Sequence, residues 1–228
     1  MKKIDFDKYQ AILFDFDGIF VLSEHFFYKS CQIVLKEYFN YELFEEEYFQ
    51  YWTMLGQGMR YQLKRINKQV DENTYRKIED RRLKLYEEFC KSGEIKFIDE
   101  TLQALEILLN KNYKIAIASN TPDKYIHHIF ESAGIKPKVP IIGKRKGLRG
   151  KPHPDIFIYA AGHLDVEPQH CIVIEDTIKG INAAKKVKMD TILVKNQYWN
   201  KENDNLLEET VIFENHKSFL DYLQKIFN

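Results

Sequence analysis

Cysteine is scarce in this chain of 228 residues, which holds only Cys31, Cys90 and Cys171. An odd, widely spaced set excludes a disulfide framework and a CxxC metal site, so a reducing cytoplasm is the default location. Each cysteine reads as a small buried apolar residue rather than a nucleophile. Charge of one sign is not in excess either. Lys plus Arg and Asp plus Glu both count 34, which excludes wholesale electrostatic binding to nucleic acid or to an anionic membrane surface. Long apolar runs are missing: none approaches the roughly 20 residues of a membrane span. The first residues, MKKIDFDKYQ, carry acids where an apolar signal core would follow, so no secretory signal is expected. Internal repeats and low-complexity linkers are absent as well. A hydrophobic content of 44% with 30% charged residues excludes a disordered or collagen-like chain.

What is present is a set of short apolar runs that end in polar residues. Ala11-Ile12-Leu13-Phe14-Asp15 stops at acids and Gly18, as a buried strand of a parallel sheet does. Lys114 to Ser119, Cys171 to Asp176 and Thr191 to Val194 repeat the pattern, Val139 to Ile142 does so more weakly, and Val211 to Phe213 reads as a last edge strand. Helical patterns alternate with them. Leu102, Leu105, Leu108 and Leu109 share a face, with Asp99 as N-cap; Ile126, Ile129 and Phe130 follow Pro122, which suits a first helical turn. Phe219, Leu220, Leu223 and Ile226 predict a closing helix. The alternation predicts a doubly wound α/β core.

Residues 20–96 break this rhythm. Phe27, Cys31, Val34, Leu35 and Tyr38 predict one amphipathic helix, and Tyr75, Ile78, Leu85, Tyr86 and Phe89 another that ends near Gly93. The stretch reads as a helical domain, 20–96, inserted into a core of 1–19 and 97–228. Its aromatics, among them Phe39, Tyr41, Phe44, Tyr48, Phe49, Tyr51 and Trp52, predict a packed core, since basic residues are not interleaved as a base-stacking platform requires.

Ligands of an open α/β sheet bind at the carboxyl ends of its strands. Those ends bring Asp15 and Asp17, two apart and so facing one way, together with Ser119-Asn120, Glu175-Asp176 and Lys151. Such a set suits phosphoryl transfer. A carboxylate can attack phosphorus, and a second one, Asp17, can serve as acid and base. Lys151 and Ser119 can hold phosphoryl oxygens. Mg²⁺ would relieve the repulsion between clustered carboxylates and an anionic substrate.

Asp15-Phe16-Asp17-Gly18-Ile19-Phe20 resembles the DxDG[TV] motif of the haloacid dehalogenase-like hydrolase superfamily. Ile115 to Asn120 resembles the second motif, and Lys151 with Pro152, Pro154 and Asp155 the third. Ile172 to Ala184, reading IVIEDTIKGINAA, resembles the fourth. The motifs stand in the family's order, and the insertion is similar to the subgroup with an α-helical cap that includes β-phosphoglucomutase and phosphoglycolate phosphatase. The resemblance implies a doubly wound, mostly parallel, Rossmann-like sheet with an all-helical cap. It implies Asp15 as nucleophile and Asp17 as general acid/base. Asp15, the carbonyl of Asp17 and Asp176 would be Mg²⁺ ligands, with Glu175 a further ligand through water or an orienting neighbour. Ser119 and the backbone of Asn120 would bind phosphate beside Phe16 and Gly18, with Lys151 as charge clamp.

Ile19, Leu22 and Phe97-Ile98 depart from the commoner family residues without removing a catalytic group. The implied activity is Mg²⁺-dependent hydrolysis of a small, sugar-phosphate-like monoester through an aspartyl phosphate. A phosphomutase and a catalytically silent binding protein are the alternatives. The silent reading is discouraged by the full set Asp15, Asp17, Ser119, Lys151 and Asp176. A mutase needs a second basic site, and the stretch Thr53 to Arg60 offers only Arg60, a candidate for substrate recognition or a plain helix-surface arginine. Lys136, Lys138, Lys144, Arg145, Lys146 and Arg149 form a basic loop that either greets an anionic substrate or is simply solvated. His25 either faces the cleft or packs at the surface. Nothing sets the oligomeric state, so a monomer is the default.

Overall fold

In the computed structural model, which describes residues 4–49, 58–199, 207 and 210–227, six strands form one sheet. They are β1 (Ala11–Phe14), β2 (Lys114–Ala118), β3 (Ile141–Ile142), β4 (Cys171–Glu175), β5 (Asp190–Val194) and β6 (Val211–Phe213). Their order is β3-β2-β1-β4-β5-β6, and every adjacent pair is parallel. All four residues of β1 are fully buried, which is why this central strand reads as an unbroken apolar run. The weak run from Val139 contributes only Ile141 and Ile142 to the ladder.

One unit comprises Met1–Leu22 and Lys96–Asn228 and carries the sheet with α5 (Asp99–Asn110), α6 (Asp123–Ser132), α7 (Asp155–His163), α8 (Ile178–Lys185) and α9 (His216–Phe227). Ala11, Leu13, Ala116, Ala118, Cys171 and Val173 share one sheet face. Phe157 and Ala160 of α7 and Ala183 and Ala184 of α8 pack against it. Truncating a fully buried phenylalanine such as Phe157 costs about 3–5 kcal/mol. The chain visits β1, β2 and β3 on one side of the sheet and then β4 and β5 on the other. The switch point of this topology is the carboxyl end of β1.

Two helix starts differ from expectation. Asp99 is not an N-cap: α5 begins at Asp99 and Ile98 holds the cap position. An acid is favoured by the helix dipole in the first turn as well as at the cap, so residue type alone does not separate the two positions. The buried face of α5 is Thr101, Ala104, Leu105 and Leu108, which leaves Leu102 and Leu109 half-buried. Pro122 caps α6 from outside the helix, and Asp123 is the first helical residue.

The second unit, Ser23–Ile95, is helical: α1 (Glu24–Phe39), α2 (Glu45–Tyr48), α3 (Met59–Arg65) and α4 (Glu72–Ser92). The division falls after Leu22 and after Ile95. Asp71 caps α4 by accepting from the Thr74 N–H at 2.8 Å, and Gly93, at φ +75°, ends it in the left-handed conformation. Cys31, Val34 and Leu35 of α1 share a core with Ile78 and Leu85 of α4, and Phe27 stacks on Tyr86 at 3.7 Å. Tyr38 was expected on the buried face but is exposed. Tyr51 and Trp52 lie outside the described residues. All three cysteines are free and buried, and burial pushes the Cys31 thiol up to about 12, as befits packing residues. Among the described residues no helix is long and apolar enough to cross a membrane.

Candidate active site

Three of the strands stop directly before a polar side chain: Asp15, Ser119 and Asp176 follow β1, β2 and β4. Between them lies Lys151, only 9% exposed. Its Nζ donates to Asp15 Oδ1 at 2.6 Å, to Glu175 Oε1 at 2.7 Å and to the Ala118 carbonyl at 2.9 Å. All three ammonium donors are thereby used. Asn120 holds the backbone of Lys151 in place. Its Oδ1 accepts the Lys151 N–H at 2.8 Å, and its Nδ2 donates to the Lys151 carbonyl at 3.4 Å.

Glu175 is fully buried, and both of its oxygens are engaged. Oε2 accepts from the Asp176 N–H at 3.0 Å, the Thr177 N–H at 2.9 Å and the Thr177 hydroxyl at 2.9 Å. Gly180 makes room for it, since a Cβ there would stand 1.7 Å from Oε1. Of the two expectations for Glu175, this geometry suits the orienting neighbour. Asp176 is different. Its Oδ2 accepts from Asn196 Nδ2 at 2.8 Å, but its Oδ1 is buried without any hydrogen-bond partner. Asp15, Glu175 and Asp176 each bring one carboxylate oxygen within 4.8 Å of the others.

Asp17 Oδ2 accepts from the Ser119 hydroxyl at 3.1 Å and from the Thr121 hydroxyl at 2.6 Å. The Thr121 N–H in turn donates to Ser119 Oγ at 3.0 Å. Gly18 turns the chain at φ +80°. A Cβ on it would stand 1.9 Å from Asp176 Oδ2, so this turn requires glycine twice over. The Gly18 carbonyl lies 3.0 Å from His216 Nε2. The Phe16 ring is fully buried against Phe20, Phe97 and Phe130, so only its backbone can meet a ligand.

The electrostatics are short of positive charge. Burial pushes the Asp15 carboxyl up to about 8; Lys151 opposes the rise, and Glu175 and Asp17 add to it. Asp176 is also held well above the usual carboxylate range, by burial first and then by Glu175 and Asp15. Burial acts to lower the Lys151 ammonium, but Asp15 and Glu175 outweigh it and raise its pKa. One ammonium therefore faces four carboxyl groups. A hard divalent cation fits this set: the donors are oxygens, their ionised forms lack compensation, and the buried Asp176 Oδ1 is open.

Other expected residues have partners of their own. Arg60 belongs to the helical unit, where its guanidinium donates to Glu72 at 2.6 Å and stacks 3.7 Å over the Tyr75 ring. Thr53 to Gln57 of the same stretch fall outside the described residues. His25 Nδ1 lies 3.1 Å from Glu45 Oε1. In the basic loop, Lys138 pairs with Glu106, Arg145 with Asp123 and Arg149 with Asp155, which favours its reading as an ordinary solvated surface. Thr121, Thr177, Asn196 and His216 were not anticipated. Thr177 had a signal, because it caps α8 by accepting from the Gly180 N–H three residues on. Thr121 had a weaker one in its spacing of two from Ser119.

Comparison with known proteins places this geometry in context. The family profile of haloacid dehalogenase-like hydrolases matches residues 12–194. A phosphoglycolate phosphatase from Colwellia psychrerythraea is 27% identical over 191 residues, covering 80% of this chain and 83% of that one. A chloroplastic 5-amino-6-(5-phospho-D-ribitylamino)uracil phosphatase from Arabidopsis thaliana is 30% identical over 107 residues, 46% of this chain and 29% of that longer protein. Among solved structures, CbbY from Rhodobacter sphaeroides in complex with phosphate superimposes with a TM-score of 0.77. It shares 20% identity over 95% of this chain and 99% of that one.

Proposed function

Since the chain belongs to the haloacid dehalogenase-like hydrolases and is a phosphatase of phosphorylated small molecules, we propose that it hydrolyses a small phosphate monoester through Asp15. The Asp15 carboxylate attacks phosphorus, the bond from phosphorus to the ester oxygen breaks, and Asp17 gives that oxygen its proton. Water then attacks the aspartyl phosphate while Asp17 takes a proton back, and inorganic phosphate leaves with Asp15 restored. Ser119 turns its hydroxyl from Asp17 to the phosphoryl group, Lys151 turns to it the donor that it gave to Asp15, and the backbone of Phe16 and Asn120 holds the remaining oxygens. Mg²⁺, held by Asp15, Asp176 and the carbonyl of Asp17, supplies positive charge against the carboxylates and the phosphate. Glu175 acts at one remove, by orienting Lys151.

The observation that carries this reading is Lys151 buried between Asp15 and Glu175, beside an Asp176 oxygen left open. Named relatives act on phosphoglycolate and on a phosphoribitylamino uracil, so the substrate class is a monoester of an aliphatic alcohol, sugar-phosphate-like. Net hydrolysis is favoured over intramolecular transfer, because Arg60 is engaged by Glu72 and Tyr75 within its own unit. The test is phosphate release from a panel of phosphate esters with and without Mg²⁺. Activity lost on chelation supports the reading; turnover unchanged by chelation refutes the metal. Positional isomerisation of sugar 1-phosphates outpacing phosphate release would refute hydrolysis.

A further inference from the structure

We propose that Asn196 is a positioning residue for the divalent cation: its amide holds one oxygen of Asp176 and so fixes the other in place to bind metal. The inference rests on the metal reading above and adds a residue to it. Asn196 follows β5 by two positions and is half-buried. Its Oδ1 accepts the Tyr198 N–H at 2.9 Å, which settles which end of the amide is oxygen. The Nδ2 end is thereby aimed inward, 2.8 Å from Asp176 Oδ2 and 3.4 Å from the Gly18 carbonyl. Gly18 accommodates this arrangement, since a Cβ there would stand 1.9 Å from Asp176 Oδ2 and 2.8 Å from Asn196 Nδ2.

With Oδ2 held, rotation of the Asp176 carboxyl is blocked, and Oδ1 remains buried without a partner. Leaving a buried acceptor unpaired is unfavourable, and a bound cation is one thing that completes such a group. Asp15 brings a carboxylate oxygen within 4.8 Å of one of those of Asp176 and supplies the second carboxylate of the same site. Groups that orient a metal ligand typically change metal affinity 10–100-fold when removed. Asn196 does this through Asp176 and touches no reacting atom.

The test is isothermal titration of Mg²⁺ into the full chain and into Asn196→Ala and Asn196→Leu, with thermal unfolding measured alongside. Both variants should fold, bind Mg²⁺ about 10–100-fold more weakly, and regain phosphate release as Mg²⁺ is raised. Equal Mg²⁺ affinity in the wild type and a folded variant overturns the inference while leaving the metal reading standing. So does a fall in thermal stability with affinity unchanged, which marks a merely structural residue. Failure of both variants to fold overturns it too, because orienting one carboxylate is no requirement for folding. A wild-type chain that binds no Mg²⁺ overturns the metal reading itself.

Discussion

Replacing Lys151 by methionine removes the one ammonium that sits between Asp15 and Glu175 and keeps most of the side-chain volume. In the structure that ammonium is almost wholly buried, with donors at 2.6 and 2.7 Å from the two carboxylates. Breaking a buried ion pair from one side costs about 3–5 kcal/mol, because the partner charge stays buried without compensation. Here part of the loss is avoidable. The Asp15 carboxyl is already pushed up to about 8, so at neutral pH it is mostly protonated and adds little uncompensated charge when Lys151 is lost. The expected loss is therefore near the lower limit, about 3 kcal/mol. For a chain of this size each kcal/mol corresponds to about 2–4 °C in melting temperature, so the transition should fall by about 6–12 °C. Calorimetry at neutral pH without added metal reads it directly. Adding Glu175→Gln should return part of the loss, with a coupling energy of about 1 kcal/mol or more in a double-mutant cycle. Additive single effects, or a drop under about 2 °C for Lys151→Met, would refute the buried bridge.

Asp17→Asn should reduce turnover about 10²–10⁴-fold for an alkyl phosphate and less for an aryl phosphate, whose leaving group needs less protonation; Thr121→Val should show the same leaving-group bias in weaker form. Equal losses on both esters in steady-state assays would remove Asp17 from the acid role. Gly18→Ala should abolish Mg²⁺ binding by calorimetry, since its Cβ would overlap Asp176 Oδ2; unaltered affinity would mean that the turn after β1 differs from the one described. The Arg149 guanidinium holds the Asp155 carboxyl down at about 2, so this pair contributes stability above the ordinary carboxylate range near 4 and loses it as pH falls from there towards 2. Carbon-detected NMR titration should find Asp155 ionising near 2 in the wild type and near its ordinary value in Arg149→Ala; no change between the two would refute the pairing.

Much of the candidate site was legible because the parallel sheet ends its apolar strands abruptly. The runs through Phe14 and Ile174 stop at Asp15 and at Glu175-Asp176, and the geometry of an open α/β sheet brings such ends together. Lys151 came from its own short motif. The roles within the cluster were less legible. Glu175 and Asp176 are adjacent in sequence, yet one is saturated by Lys151 and Thr177 while the other keeps an open oxygen. That difference depends on which way each side chain leaves the end of β4. Asn196 and His216 carried no signal, since they reach Asp176 and Gly18 across separations of 20 and 198 residues. Asp99 was misread because an acid suits both a cap and a first turn.

The central claim is that Asp15 is the group phosphorylated during turnover, and its most direct measurement is rapid acid quench of the working enzyme followed by peptide mass spectrometry. With Mg²⁺ and a phosphate ester present, the peptide containing Asp15 should gain the mass of one phosphoryl group within the first turnover. The gain should vanish on chelation and in Asp15→Asn. Phosphate release that proceeds with no phosphorylated peptide at any quench time, or with full rate in Asp15→Asn, would contradict the account.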